Sequence, residues 1–248
     1  MRWLFSLADA RILLWLNHSL ARHPRLFELA LFITDKGADI ATLGTIAWLW
    51  FWRAGDEAAR SRQPITRQES RARLIVFACA GMAAFVTARL IAFAFNVDRP
   101  FTSYLAVRGT PGAFAGLRTF GSFPSDHAAL LAALPVALFY WNRQVAWNWT
   151  ILACLLAIVR VAVGFHYPED ILGGMALGAA FSAAGMWLFD RSRVVHGTAN
   201  WIAGGFSRSP QGYVLYALGA LVVLEFAVHF RDVLGLLFAL RSAVKPIA

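Results

Sequence analysis

The sequence predicts an all-α fold: a polytopic membrane helix bundle with about six transmembrane helices and an N-terminal interfacial helix. Three observations predict it. Hydrophobic residues make up 59% of the 248-residue chain, charged residues only 15%, and the mean hydropathy is +0.57. That balance fits an integral membrane protein and not a soluble domain. Apolar runs recur at roughly the 20-residue length that crosses a hydrocarbon core. The arginines gather between those runs, where they set topology.

Each element follows in chain order, within a single domain spanning 1–248. Residues 1–25 carry apolar side chains, but Asp9 and Arg11 interrupt them and no small-residue cleavage site stands out. The segment reads as an amphipathic helix at an interface and not as a signal peptide. A first span over about 26–53 is broken by Asp35, Lys36 and Gly37. Five further spans cover about 72–96, 124–142, 147–165, 170–189 and 212–230. Cys79 and Cys154 both fall inside apolar runs and read as small buried hydrophobes, with no disulfide or metal spacing.

Charge orients these spans. The 53–73 loop holds Arg53, Arg60, Arg62, Arg67, Arg71 and Arg73, Arg143 marks a short turn, and Arg191, Arg193 and Arg208 occupy the 190–211 loop. All lie on one side of a six-span layout, the cytoplasmic side by the positive-inside rule. The net charge of +9 therefore reflects topology, and no nucleic-acid partner is implied.

Three polar fragments fall together on the opposite face. They are "NVDRPF" with Arg99, "FPSDHAA" with Ser125 and His127, and "VRVAVGFHYPEDILGG" with Arg160, His166 and Asp170. Ionisable groups at a membrane are costly and mark function by default. Pro124 suits the first position of a helix whose free N–H groups, with the Ser125 hydroxyl, form an anion site. Arg99 and Arg160 offer planar donors to phosphate oxygens. His166 precedes Asp170 by four residues, with Pro168 starting the helix between them. The carboxylate can take the imidazole Nδ1–H and leave Nε2 free to attack, and His127 can protonate a leaving oxygen. This set needs no metal and no cofactor. Gly173, Gly174 and Gly178 read as close-packing positions between helices.

These fragments resemble the signature of the type 2 phosphatidic acid phosphatase superfamily: Lys-x6-Arg-Pro, Pro-Ser-x-His and Ser-Arg-x5-His-x3-Asp. The second part is complete as Pro124-Ser125-Asp126-His127, the third gives Arg160, His166 and Asp170, and the first gives Arg99-Pro100. The motifs lie within about 85–190. The resemblance implies a lipid phosphatase of the bacterial inner membrane, its active site facing the periplasm or exterior. It implies His166 as nucleophile forming a phosphohistidine, Asp170 orienting it and His127 as general acid. Arg99, Ser125 and Arg160 would bind the phosphate. The "SFPSDHA" and "GFHYPEDILGG" fragments look most like the undecaprenyl-diphosphate phosphatase branch, whose product is undecaprenyl phosphate.

Two positions depart from the pattern. The family lysine falls at Ala92 and the serine before the arginine at Val159. Arg89, one helical turn before Ala92, is the candidate replacement, with Arg108 and Arg118 as further sources of charge. Partners are the lipid phosphate and the surrounding membrane lipids. Two alternatives stand beside the main reading. One is a phosphatase for phosphatidic acid, phosphatidylglycerophosphate or diacylglycerol pyrophosphate, or a lipid phosphotransferase. The other is a lipid-phosphate binding membrane protein without hydrolysis, for which Ala92 and Val159 speak.

Overall fold

A computed structural model describes residues 7–34, 38–50, 66–102, 107–109 and 121–207. Among them the chain is helical: α1 (Leu7–Ala21), α2 (Pro24–Phe32), α3 (Ala38–Trp48), α4 (Arg67–Phe95), α5 (Asp126–Leu138), α6 (Arg143–Ala162), α7 (Pro168–Arg191) and α8 (Arg193–Ser207). A single 3-10 turn, Pro100–Thr102, follows α4.

Local signals explain where the long helices begin. Thr66 accepts the Glu69 N–H at 3.1 Å and opens α4 as the first member of a Thr-x-x-Glu box. The Asn142 side chain accepts from Gln144 and Val145 at 2.9 and 3.1 Å and opens α6. Pro168 starts α7, as expected for a residue with no N–H to satisfy.

The end of α6 has an equally local cause. Gly164 takes a left-handed φ of +83°. Its N–H donates to the Val161 carbonyl at 2.9 Å, and the Phe165 N–H reaches back to the Arg160 carbonyl at 3.2 Å. These two bonds form a Schellman stop, which favours glycine at the left-handed position. The chain therefore turns sharply and passes through Phe165, His166 and Tyr167 before α7 begins.

Three stretches, Gln68–Thr102, Arg143–Ala162 and Pro168–Arg191, are long and apolar enough to cross a membrane, and the chain is an integral membrane protein. The expected layout of six spans changes in detail. The 124–142 run becomes the 13-residue α5, because Ser125 caps it at one end and a turn at 139–141 closes it at the other. The 26–53 run is divided between α2 and α3. The 212–230 run lies outside the described residues. Cys79 and Cys154 are exposed, not buried, because each sits on an outward face of its helix.

Helices α4, α5 and α7 pack against one another, with α6 against α5 and α8 against α4 and α7. The α5–α7 approach is close because Gly174 and Gly178 present bare backbone. A Cβ on Gly174 would fall against the Ser125 carbonyl oxygen, and one on Gly178 against that of Ala129. The main core joins Trp50, Phe77, Leu131, Leu134, Leu138, Trp149 and Met186. A second cluster, with Leu13, Ala128, Val161, Tyr167 and Ile171, supports the site end. There α1 is held by Asn17, whose amide donates to the carbonyls of Ala162 at 3.0 Å and Arg108 at 2.9 Å.

The two ends of the bundle differ in chemistry. At one end Arg73 pairs with Asp190 at 2.9 Å and Glu69 at 3.3 Å, and the Trp141 indole donates to Ser70 at 2.7 Å. At the other end the C-terminal part of α4 and the starts of α5 and α7 meet the turn that ends α6. This second end carries the candidate site.

Candidate active site

His166 sits directly after the Schellman turn and is 1% exposed. Its Nδ1 donates to the Ser122 carbonyl at 3.0 Å, with Asp170 Oδ2 more distant at 3.5 Å. A carbonyl can only accept, so this bond places the proton on Nδ1. Nε2 then carries the lone pair and faces Arg99 Nη1 at 3.4 Å. The same Arg99 nitrogen donates to the Phe165 carbonyl at 3.1 Å, which fixes the guanidinium beside the ring.

Asp170 works through backbone and Ser122. Its Oδ2 accepts the Tyr167 N–H at 2.7 Å and the Ser122 hydroxyl proton. Ser122 is fully buried and its own N–H donates to the Val97 carbonyl at 2.8 Å. One serine thus ties the end of α4, the imidazole and the carboxylate together. Its sequence position, in "GSFPSDH", carried only the weak signal of a small polar residue near a motif.

Burial pushes the His166 imidazole down to about 4, and the Arg99 and Arg160 charges act in the same direction against Asp170. The ring is therefore neutral across the physiological range and able to act as a nucleophile. The unfolded chain, titrating near 6.5, takes up this proton first. Stability from His166 is full above that value and is lost as pH falls from about 6.5 toward 4. Thermal unfolding in detergent should show the apparent Tm of wild type dropping between pH 7.5 and 4.5. The drop should be smaller in His166→Gln, and equal slopes would contradict the assignment.

The second imidazole belongs to the start of α5. The first position of this helix is Asp126 and not Pro124, because Ser125 caps it: its hydroxyl accepts the Ala128 N–H at 3.4 Å. The Ser125 N–H donates to the Asp170 carbonyl, and the His127 N–H to Asp126 Oδ1 at 2.7 Å. The expected anion site of open N–H groups is thus largely satisfied from within the chain. His127 Nδ1 also lies 2.7 Å from Asp126 Oδ1, and Arg89 Nε lies 2.5 Å from Asp126 Oδ2.

Ala88, Arg89, Ala92, Arg99, Gly121, Pro124, Asp126 and His166 line one narrow cleft. Arg89 and Ala92 both line it, and Arg89 is paired there with Asp126. Arg160 is buried and does not line the cleft: its Nη1 donates to the Thr34 carbonyl at 2.6 Å, and its guanidinium lies over the Phe165 ring. Arg108 exposes its side chain while its N–H caps Asn17, and Arg118 lies outside the described residues. The motif residues therefore gather at one end, but among the described charged and titratable ones Arg89, Arg99, Asp126 and His166 line the cleft, and His127, Arg160 and Asp170 stand behind it.

Comparison with known proteins adds a family to this geometry. The model of the PAP2 superfamily matches residues 71–193. An undecaprenyl-diphosphatase of Bacillus subtilis is 31% identical over 109 residues, 44% of this chain and 54% of that protein. A lipid A 1-phosphatase of Rhizobium johnstonii is 39% identical over 82 residues, 32% of each chain. The chain thus spans about half or less of the length of these relatives. A crystal structure of a transmembrane PAP2 type phosphatidylglycerolphosphate phosphatase from Bacillus subtilis has a TM-score of 0.49 at 23% identity, covering 75% of this chain and 86% of that one.

Proposed function

From the PAP2 superfamily domain that this chain carries, we propose a membrane lipid phosphatase that converts undecaprenyl diphosphate to undecaprenyl phosphate. The observation that carries the chemistry is the His166 ring, with Nδ1–H given to a backbone carbonyl and Nε2 facing the cleft beside Arg99. His166 Nε2 attacks the terminal phosphorus, and the bond from phosphorus to the bridging oxygen breaks. His127 gives its proton to that oxygen. Water then attacks the phosphohistidine, returns a proton to His127, and phosphate leaves. Ser122 and Asp170 hold the nucleophile in orientation, and Arg99 receives the phosphoryl oxygens, with Arg89 at the cleft wall.

The scheme gives each charged role to a side chain and calls for no divalent metal. The arginines of the opposite end support a cytoplasmic assignment for that end, which leaves the site toward the periplasm in the cytoplasmic membrane. The Bacillus relative supports the prenyl diphosphate. The Rhizobium relative favours a second reading, a phosphate on lipid A. Purified protein in detergent with EDTA should release phosphate from undecaprenyl diphosphate with the highest kcat/KM of a panel. That panel includes lipid A bearing a 1-phosphate, phosphatidylglycerophosphate and phosphatidic acid. Vanadate should inhibit it. A higher kcat/KM on another member would replace the substrate, and loss of turnover in EDTA would overturn the metal-free chemistry.

A further inference from the structure

The cleft contains a carboxylate that the scheme above does not use. Asp126 is the first residue of α5 and is 8% exposed, yet it lines the same cleft as the His166 imidazole. A carboxylate beside a phosphate site opposes anion binding unless something else holds it in place. Here both oxygens are engaged. Oδ1 accepts from the His127 backbone N–H and lies 2.7 Å from His127 Nδ1, while Oδ2 is paired with Arg89 of α4.

We infer that Asp126 is a positioning residue for His127, whose Nδ1 meets a carboxylate directly where that of His166 meets the Ser122 carbonyl. This rests on the proposed role of His127 as proton donor. With Nδ1–H given to Asp126, Nε2 becomes the nitrogen that carries the transferable proton. Arg89 then pins the carboxylate from α4, and Phe85, one turn earlier on that helix, meets the ring edge-on at a centroid separation of 6.5 Å. The imidazole is thereby tied to α4 as well as to α5. In this arrangement Arg89 serves the proton donor, which is a different use from replacing the lysine absent at Ala92.

A purely structural acid at a helix start would stabilise α5 through the helix dipole and affect all substrates alike. A residue that positions the proton donor affects only substrates whose leaving group needs a proton. Asp126→Asn keeps the size and the N-terminal position. Its kcat should be compared with that of wild type on dioctanoyl phosphatidic acid, which expels an alkoxide, and on p-nitrophenyl phosphate, which expels a stable phenolate. The expected result is a loss of about 10- to 100-fold on the alkyl ester and less than about 3-fold on the aryl ester.

His127→Ala, measured on the same pair, separates the two levels of the argument. If His127→Ala is selective for the alkyl ester and Asp126→Asn is not, the proton donor stands and the positioning role falls. If neither is selective, the proton-donor reading falls and the inference with it. Nitrogen-15 histidine spectra give a readout that needs no turnover. The His127 Nδ1–H signal should shift or vanish in Asp126→Asn, and an unchanged signal would overturn the pairing.

Discussion

Replacing His166 with glutamine is expected to reduce phosphate release by at least about 10³-fold, because it removes the proposed nucleophile while filling most of its space. The size of the effect follows from how little can substitute for it. Nε2 faces the cleft beside Arg99, and the other described imidazole near the site, His127, is held through Nδ1 by Asp126. Wild type quenched during turnover of a phosphate-labelled substrate should carry an acid-labile label on the protein, and His166→Gln should carry none. Full turnover by the variant, or an equal label on it, would remove His166 from the chemistry. The apparent Tm at pH 7.5 should fall by only a few degrees, so that lost activity is not lost fold.

Gly178→Ala is the second change with a large expected effect, and it lies well away from the reacting atoms. The added methyl would strike the carbonyl of Ala129 across the α5–α7 contact, where backbone cannot yield as a side chain can. Overpacking of this kind costs about 1–3 kcal/mol, and each kcal/mol lowers Tm by about 2–4 °C in a chain of this size. Spreading the two helices also separates His127 on α5 from Asp170 on α7, so kcat should fall together with stability. Gly197→Ala on α8 is the control, since nothing lies within 4 Å of a methyl there and the residue is exposed. It should match or slightly exceed wild-type stability. If both variants behave alike in thermal unfolding and turnover, close packing at Gly178 is not what holds the site together.

Much of the candidate site is legible in the sequence because the proposed chemistry uses rare residues at fixed spacing. Arg99, His127, His166 and Asp170 stand out against an apolar background, and the alternation of membrane runs puts them at one level. What escaped is what the backbone does. The acceptor for His166 Nδ1 is the carbonyl of Ser122, and every residue has a carbonyl. The Arg160 guanidinium, read from spacing as a phosphate ligand, is drawn to the carbonyl of Thr34 by a helix far away in sequence. Asp126 occupies the unspecified position of Pro-Ser-x-His, and its pairing with Arg89 is not visible without the packing of α4 on α5. The length of α5 escapes for a related reason: hydropathy continues through Phe139, Tyr140 and Trp141, but the hydrogen bonds there form a turn.

The place of the cleft along α4 has a consequence for how a lipid would be met. Arg89 and Ala92 lie in the last two turns of that helix, which ends at Phe95, while Arg99, Gly121 and Pro124 follow it in the chain. The cleft thus straddles the point where an apolar helix gives way to connecting backbone. A headgroup at the water boundary could enter there while its hydrocarbon stays among its neighbours. The energetic cost of entry then falls on a few polar atoms and not on the tail, whatever the tail's length.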